Sequence, residues 1–300
     1  MRLLVIGASG FLGAHVCGRA RAAGFELVTA GRSDRADSPC QRHIDLANDP
    51  PGTITALIDQ VAPDAVVNCA GATTGELEAL VAANVTGVFT LTRAVAATKT
   101  PPRLVHLGSA AEYGHVEPGV PVTERTAPRP KSLYGVTKLA GTEMVELAAA
   151  AGLDAVVLRV FNPVGSHAPE SSLPGRLATE LRQALDHGTD VQLGPLDAVR
   201  DFVDARDVAD SVLAAATAPV LPHRVLNIGS GRGVPVRAMV KRLVAISGCP
   251  ALVREDSQGS PRTTEVPWQE ADITYATQDL DWQPRRDLAT SLADLWEATR

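Results

Sequence analysis

A glycine loop, Gly7-Ala8-Ser9-Gly10-Phe11-Leu12-Gly13, stands between the apolar run Leu3-Leu4-Val5-Ile6 and a helical stretch that stops at Gly24. Few features limit a fold so strongly. The first glycine permits a tight turn, the second lets an anion approach the backbone, and the third lets the helix lie close on the strand. Free N–H groups at the helix start, together with the helix dipole, favour a pyrophosphate there. Directly after an N-terminal strand, this spacing points to dinucleotide binding by Gly7, Ser9, Gly10, Phe11, Leu12 and Gly13. The bland alternative is a tight turn with no ligand.

The alternation continues. Apolar runs at 26–30, 64–69, 103–107 and 155–160, with a weaker one at 41–44, are separated by helical stretches at 53–61, 76–97 and 134–150. Continuously apolar strands between helices predict a parallel sheet covered on both faces, an α/β doubly wound Rossmann fold. Past residue 163 the prolines Pro163, Pro169 and Pro174 break the rhythm. A helix at 177–185, a strand at 191–193, a return to the sheet at 201–217 and 225–228, a strand at 251–254 and a final helix follow. The expected division is a dinucleotide-binding domain from 1–165 plus about 198–232, and a smaller C-terminal substrate-binding domain from 166–197 plus 233–300.

A net charge of −6 argues against nucleic acid or an acidic membrane as a general partner. There is no run of about 18 uncharged apolar residues, so no transmembrane helix is expected. The opening apolar run is too short for a secretion signal. Cys17, Cys40, Cys69 and Cys249 are far apart and lack metal-ligand spacing, so reduced thiols, no metal and a cytoplasmic location are expected. His106 and Cys69 fall inside strands and read as core, while His115, His167 and His223 read as loop residues.

Cofactor choice is read near the end of the second strand, Thr29-Ala30-Gly31-Arg32-Ser33. No carboxylate stands there to hold a ribose 2′-hydroxyl. Arg32 suits a 2′-phosphate, with Ser33 as a second donor, so NADP(H) is expected ahead of NAD(H). The alternatives are a solvated Arg32 with Asp34 serving NAD.

Tyr134-Gly135-Val136-Thr137-Lys138 places a phenol and an ammonium on one face of a helix start. An ammonium beside a tyrosine favours the phenolate and suits the pair to proton transfer at a carbonyl or alcohol. The chain has 3 tyrosines and 4 lysines, so a chance match is improbable. Ser109 follows the 103–107 strand, at the edge where parallel sheets place their sites, and could polarise a substrate oxygen.

The GxxGxxG spacing, Ser109 and the YxxxK pair together resemble the extended branch of the short-chain dehydrogenase/reductase family over nearly the whole chain. The resemblance implies that Ser109, Tyr134 and Lys138 form the catalytic triad and that Lys138 also bonds the nicotinamide ribose. It implies that Asp45 and Leu46 flank the adenine and that Ala70, Gly71 and Ala72 line the cofactor cleft. Asn84, in Asn84-Val85-Thr86-Gly87, matches a family asparagine that either serves the cofactor or packs helices. Asn162 in Phe161-Asn162-Pro163-Val164-Gly165, Arg200 in Arg200-Asp201-Phe202-Val203, and Arg262 after Pro261 match positions near a substrate diphosphate. Ala110 and Ala111, together with Ser109, would face the substrate, and Leu280-Asp281-Trp282-Gln283-Pro284 matches the family's C-terminal pattern.

Three chemistries compete within that resemblance. A dehydratase needs an acid–base carboxylate pair where this chain has Ala110 and Ala111, with Glu112 one place off. A 4-epimerase holds NAD and usually carries the acid that Gly31-Arg32 lacks. The stretch 109–138 most resembles reductases of nucleotide-linked 4-keto-6-deoxysugars, so NADPH-dependent reduction of such a sugar, or of another small carbonyl substrate, is the expectation. The NAD-dependent epimerase and a non-catalytic NADP-binding sensor or scaffold are the alternatives. The family resemblance also implies a homodimer through the 76–97 and Tyr134 helices.

Overall fold

The computed structural model describes residues 1–32, 40–255 and 266–299. The first half runs β1 (Arg2–Ile6), α1 (Phe11–Ala22), β2 (Glu26–Gly31), β3 (Arg42–His43), α2 (Pro51–Val61), β4 (Ala65–Asn68), α3 (Leu77–Val81), a π-helical turn (Ala82–Thr86), α4 (Gly87–Ala96), β5 (Arg103–Ser109), α5 (Leu133–Ala150) and β6 (Ala155–Val160). The second half adds β7 (Pro163–Val164), α6 (Leu173–His187), β8 (Val191–Leu193), β9 (Val199–Asp201), β10 (Val203–Asp204), α7 (Ala205–Thr217), β11 (Val225–Ile228), β12 (Gly233–Pro235), α8 (Val236–Ser247), β13 (Val253–Glu255) and two last helices, Thr274–Leu280 and Leu288–Ala298.

Seven parallel strands form the central sheet in the order β11-β6-β5-β4-β1-β2-β3. The expected doubly wound architecture is therefore present. Register sets the site: Ile6 lies opposite Ala30 and Asn68, Asn68 opposite His106, and Ser109 opposite Val160. The residues that follow β1, β2, β4, β5 and β6, namely Gly7, Arg32, Cys69, Ala110 and Phe161, consequently gather at one sheet edge. The order reverses between β1 and β4, where sheets of this kind open a crevice.

Alternation along each strand builds two cores. Leu3, Val5, Val67, Val105 and Leu158 pack with Val16 and Ala20 of α1 and Val208 and Val212 of α7. Leu4, Ile6, Val66, Leu104 and Val157 pack with Ile54 and Ile58 of α2, Leu91 and Val95 of α4, and Val145 of α5. The stretch Leu77–Ala96 has the length and hydropathy of a membrane span, but half of it is buried inside the molecule, as a core helix would be.

A third core joins Leu177 and Leu181 of α6, Leu193, Met239 and Leu243 of α8, and Leu292 and Leu295. One part of the expected division needs amending. Ala276, Leu280 and Trp282, expected in the smaller unit, pack in the core beneath the sheet, and Trp282 Nε1 donates to Asp207 O at 2.9 Å. Element ends shift as well. The helix expected at 177–185 begins at Leu173, because Ser172 Oγ caps it by accepting Gly175 N–H and Pro174 suits a first turn.

Candidate active site

The glycine loop is as tight as its spacing requires. Gly7 has φ +80°, and a Cβ there would lie 2.6 Å from Ala70 N. A Cβ on Gly13 would lie 2.1 Å from Gly7 O, so α1 rests directly on the turn. Gly7 N–H donates to Ala30 O at 2.9 Å and Gly10 N–H to Gly7 O at 3.0 Å. Gly10 provides no side-chain cap and the first turn of α1 holds no acid, while Ser9 is exposed at the tip. Phe11 meets His15 edge-on at 5.3 Å, and Leu12 packs on the core. Uncapped N–H groups beside backbone with no room for a Cβ make a cradle that fits a dinucleotide pyrophosphate.

Arg32 is exposed just past β2, and Ser33 lies outside the described residues. Asp45 fastens its own turn, accepting Ala47 N–H at 3.0 Å and Asn48 Nδ2 at 2.9 Å. The Asn48 bond holds its carboxyl below the usual range, and the charge of Arg32 adds to this. Leu46 is core, packed under Gly87.

Past β4, Asn68 Oδ1 accepts Ala70 N–H at 3.1 Å, which leaves Asn68 Nδ2 to donate to His106 Nδ1 at 3.1 Å. His106 is therefore a neutral core imidazole, its pKa held well below the usual value by burial and then by Lys138. Asn84, in the π turn, accepts Ala72 N–H and donates from Nδ2 to Ala72 O and to Thr137 Oγ1. It ties the loop after β4 to α5. A Cβ on exposed Gly71 would come within 3.0 Å of its Oδ1.

Ser109 ends β5 and caps the 3₁₀ turn Ala110–Glu112. Its Oγ accepts Ala111 N–H at 3.2 Å, and Glu112 Oε1 accepts Ser109 N–H at 2.7 Å. Tyr134 stands half-buried in the first turn of α5, which Ser132 Oγ caps through Gly135 N–H. Two glycines press this helix onto the site. A Cβ on Gly135 would lie 2.5 Å from Ala111 O, and one on Gly141 2.6 Å from Asn84 O. The Tyr134 turn and the Ser109 turn are thus in backbone contact. Lys138 is buried one helical turn further on, and its Nζ donates to Leu107 O. Burial lowers its pKa, with Glu112 opposing that shift.

On the substrate side, Asn162 Nδ2 donates to Asp201 O at 2.8 Å. Arg200 donates to Val199 O and Val266 O, and among the described residues no carboxylate pairs with it. Burial pulls its pKa down to about 10. Arg262 lies outside the described residues. One organising residue had no signal in the sequence. Gln269 donates from Nε2 to Ala110 O and Gly114 O, while its own N–H donates to Val199 O. It links the Ser109 turn to the strand that carries Arg200.

A family model described as the NAD dependent epimerase/dehydratase family matches residues 3–229. The chain belongs to that family. It is 39% identical over 303 residues to dTDP-6-deoxy-L-talose 4-dehydrogenase (NAD(P)(+)) of Kitasatospora kifunensis, covering 99% of this chain and 95% of the relative. It is 27% identical to GDP-6-deoxy-D-mannose reductase of Pseudomonas aeruginosa, over 82% of this chain and 80% of that one. The solved structure of MoeE5 in complex with UDP-glucose and NAD superposes with a TM-score of 0.84 at 26% identity, covering 99% and 98% of the two chains. This epimerase/dehydratase-family member is accordingly an NAD(P)-dependent enzyme of nucleotide-sugar chemistry, as the family resemblance implied.

Glu112 bears on which chemistry that is. Its carboxylate is 0% exposed, and both oxygens are engaged, by Ser109 N–H and by Arg159 Nε at 2.7 Å. Both oxygens are thus committed to donors of the protein itself.

Proposed function

We propose that this chain is an NADP(H)-dependent oxidoreductase acting at C4 of a nucleotide-linked 6-deoxyhexose, reducing the 4-keto sugar. The observation that carries this reading is the backbone contact between the Ser109 and Tyr134 turns at the sheet edge that also holds the glycine loop. The 39% identity to a dTDP-6-deoxy-L-talose 4-dehydrogenase supports the sugar and the carbon, since reduction and oxidation there are one reaction run in opposite directions.

Gly7, Gly10 and Gly13 would hold the pyrophosphate, Arg32 the 2′-phosphate and Lys138 the nicotinamide end, while Asn84, its amide spent on Ala72 and Thr137, would hold the loop that lines the cleft. When bound, the nicotinamide supplies the hydride that reduces the carbonyl carbon. Ser109 Oγ donates a hydrogen bond to the carbonyl oxygen, Tyr134 gives it a proton, and the ammonium of Lys138 stabilises the phenolate left behind. Arg200, partly desolvated and paired with no carboxylate among the described residues, takes the substrate diphosphate with Asn162 beside it. Arg32 and the locked Glu112 argue against the NAD-bound epimerase and the dehydratase respectively.

Apolar side chains left exposed on adjoining helices support a homodimer: Leu77, Val81 and Phe89 on the 77–96 stretch, and Leu133, Val136 and Leu147 on α5. The test of function is NADPH and NADH oxidation against dTDP-, GDP- and UDP-linked 4-keto-6-deoxyhexoses, with NADP⁺ reduction by dTDP-6-deoxy-L-talose as the reverse assay. Turnover that prefers NADPH supports the reading. Tight NADPH binding with no turnover on any of these sugars would instead mark a sensor.

A further inference from the structure

Ser109 is held from behind by a charge that solvent does not reach. One oxygen of Glu112 accepts Ser109 N–H at 2.7 Å and the other accepts Arg159 Nε at 2.7 Å. The two side chains are 0% and 3% exposed. Arg159 comes from β6, where it lies opposite Gly108, the residue before Ser109. A Cβ on Gly108 would meet Glu112 Oε1 at 2.9 Å and Arg159 Cγ at 3.2 Å, so the glycine leaves the space in which the pair forms. From Arg159 the connection runs on across the sheet. Nη1 donates to Tyr113 OH at 3.1 Å, Tyr113 OH donates to Asn227 Oδ1 at 2.7 Å, and Asn227 N–H donates to Glu124 Oε1 at 2.7 Å. Asn227 sits on β11, the edge strand. Three neighbouring strands are thereby joined under one serine.

A buried ion pair is a poor device for stability, because apolar side chains of similar volume serve as well or better. What it does supply is direction. Both carboxylate oxygens of Glu112 are fixed by donors on different elements, so the Ser109 peptide cannot rotate without breaking a charge-assisted bond.

We propose that Glu112 and Arg159 are positioning residues for the reaction, their buried pair orienting Ser109 so that its hydroxyl meets the substrate oxygen in line with Tyr134. This inference rests on the reading of Ser109 as the group that polarises that oxygen. The pair touches neither substrate nor cofactor, and acts by holding the geometry that such a hydrogen bond needs.

The experiment is a double-mutant cycle on the full chain, with dTDP-6-deoxy-L-talose and NADP⁺ as the probe. Glu112→Gln removes the charge, and the paired Glu112→Gln/Arg159→Met removes both charges without stranding one in the core, which keeps a folded variant available if the single one fails. Each is compared with Ser109→Ala and with the combination. The expected result is a kcat lower by about tenfold or more, KM and the NADPH Kd within about twofold, and no further loss when Ser109→Ala is added, because the residues act as one unit. Losses that multiply with Ser109→Ala, or an unchanged kcat in the paired variant, overturn the proposal while leaving the role of Ser109 intact. A Ser109→Ala enzyme of normal kcat overturns the role of Ser109 itself, and the proposal with it.

Discussion

Asn84 clasps Ala72 at both ends: its Oδ1 accepts the Ala72 N–H at 3.0 Å and its Nδ2 donates to the Ala72 carbonyl at 2.8 Å. The same Nδ2 reaches Thr137 Oγ1 at 3.1 Å, one residue before Lys138. A π turn is a common device for aiming one side chain out of helical register, and Ala82–Thr86 aims this one. Asn84→Ala removes its hydrogen bonds to the Ala72 N–H and carbonyl, each contributing about 0.5–1.5 kcal/mol. The expected outcome is a lower Tm together with weaker NADPH binding, read by thermal melts with and without the nucleotide.

Two glycines of α1 should respond in opposite directions. Gly13→Ala drives a methyl to 2.1 Å from Gly7 O, which forces α1 off the turn and should abolish NADPH binding. Gly18 lies in the same helix with nothing within 4 Å of its added Cβ. Gly18→Ala should therefore raise stability by roughly 0.5–1 kcal/mol, with NADPH affinity unchanged. Denaturant unfolding and nucleotide titration of both variants check the pair.

Arg32 is exposed beside the expected 2′-phosphate position. A charge-assisted bond to that phosphate contributes about 1.5–3 kcal/mol, so Arg32→Ala should weaken NADPH by about ten- to a hundredfold and leave NADH nearly unaffected. Equal effects on both nucleotides would remove Arg32 from the cofactor reading.

Acid should destabilise the fold through His106. Burial holds its imidazole neutral in the native state, while the unfolded chain takes up a proton near the ordinary value of 6.5. As pH falls below 6.5 the unfolded state binds more protons, and stability drops by up to about 1.4 kcal/mol per pH unit. His15, with its pKa also lowered by burial, acts in the same direction. His15 is present in both proteins, so the difference in slope between wild type and His106→Gln isolates His106. Urea unfolding across this range should show the shallower slope in His106→Gln.

Much of the candidate site was legible because the chemistry proposed for it is local. The glycine loop needs three small residues in seven, and the proposed proton-transfer pair needs a phenol and an ammonium one helical turn apart, so both leave their mark within a few positions. What was not legible depends on contacts between distant segments. Gly135 and Gly141 read as ordinary helix residues until Ala111 O and Asn84 O are placed against them. Gln269 is 159 residues from the Ala110 carbonyl that it holds. Trp282 carries a recognisable pattern, but its membership of the sheet core depends on Asp207 O. The meaning of Glu112 also changed. Sequence position made it a misplaced acid, and the fold makes it the partner of Arg159.

The most direct test of the central claim is the turnover of Tyr134→Phe with dTDP-6-deoxy-L-talose and NADP⁺. Removing one hydroxyl leaves the glycine loop and the packing of α5 in place, so NADPH should bind with unchanged Kd. General acid–base catalysis contributes roughly 10²–10⁴-fold, and a kcat lower by that factor is the expected result. A Tyr134→Phe enzyme with wild-type kcat would contradict the assignment of the proton to this tyrosine.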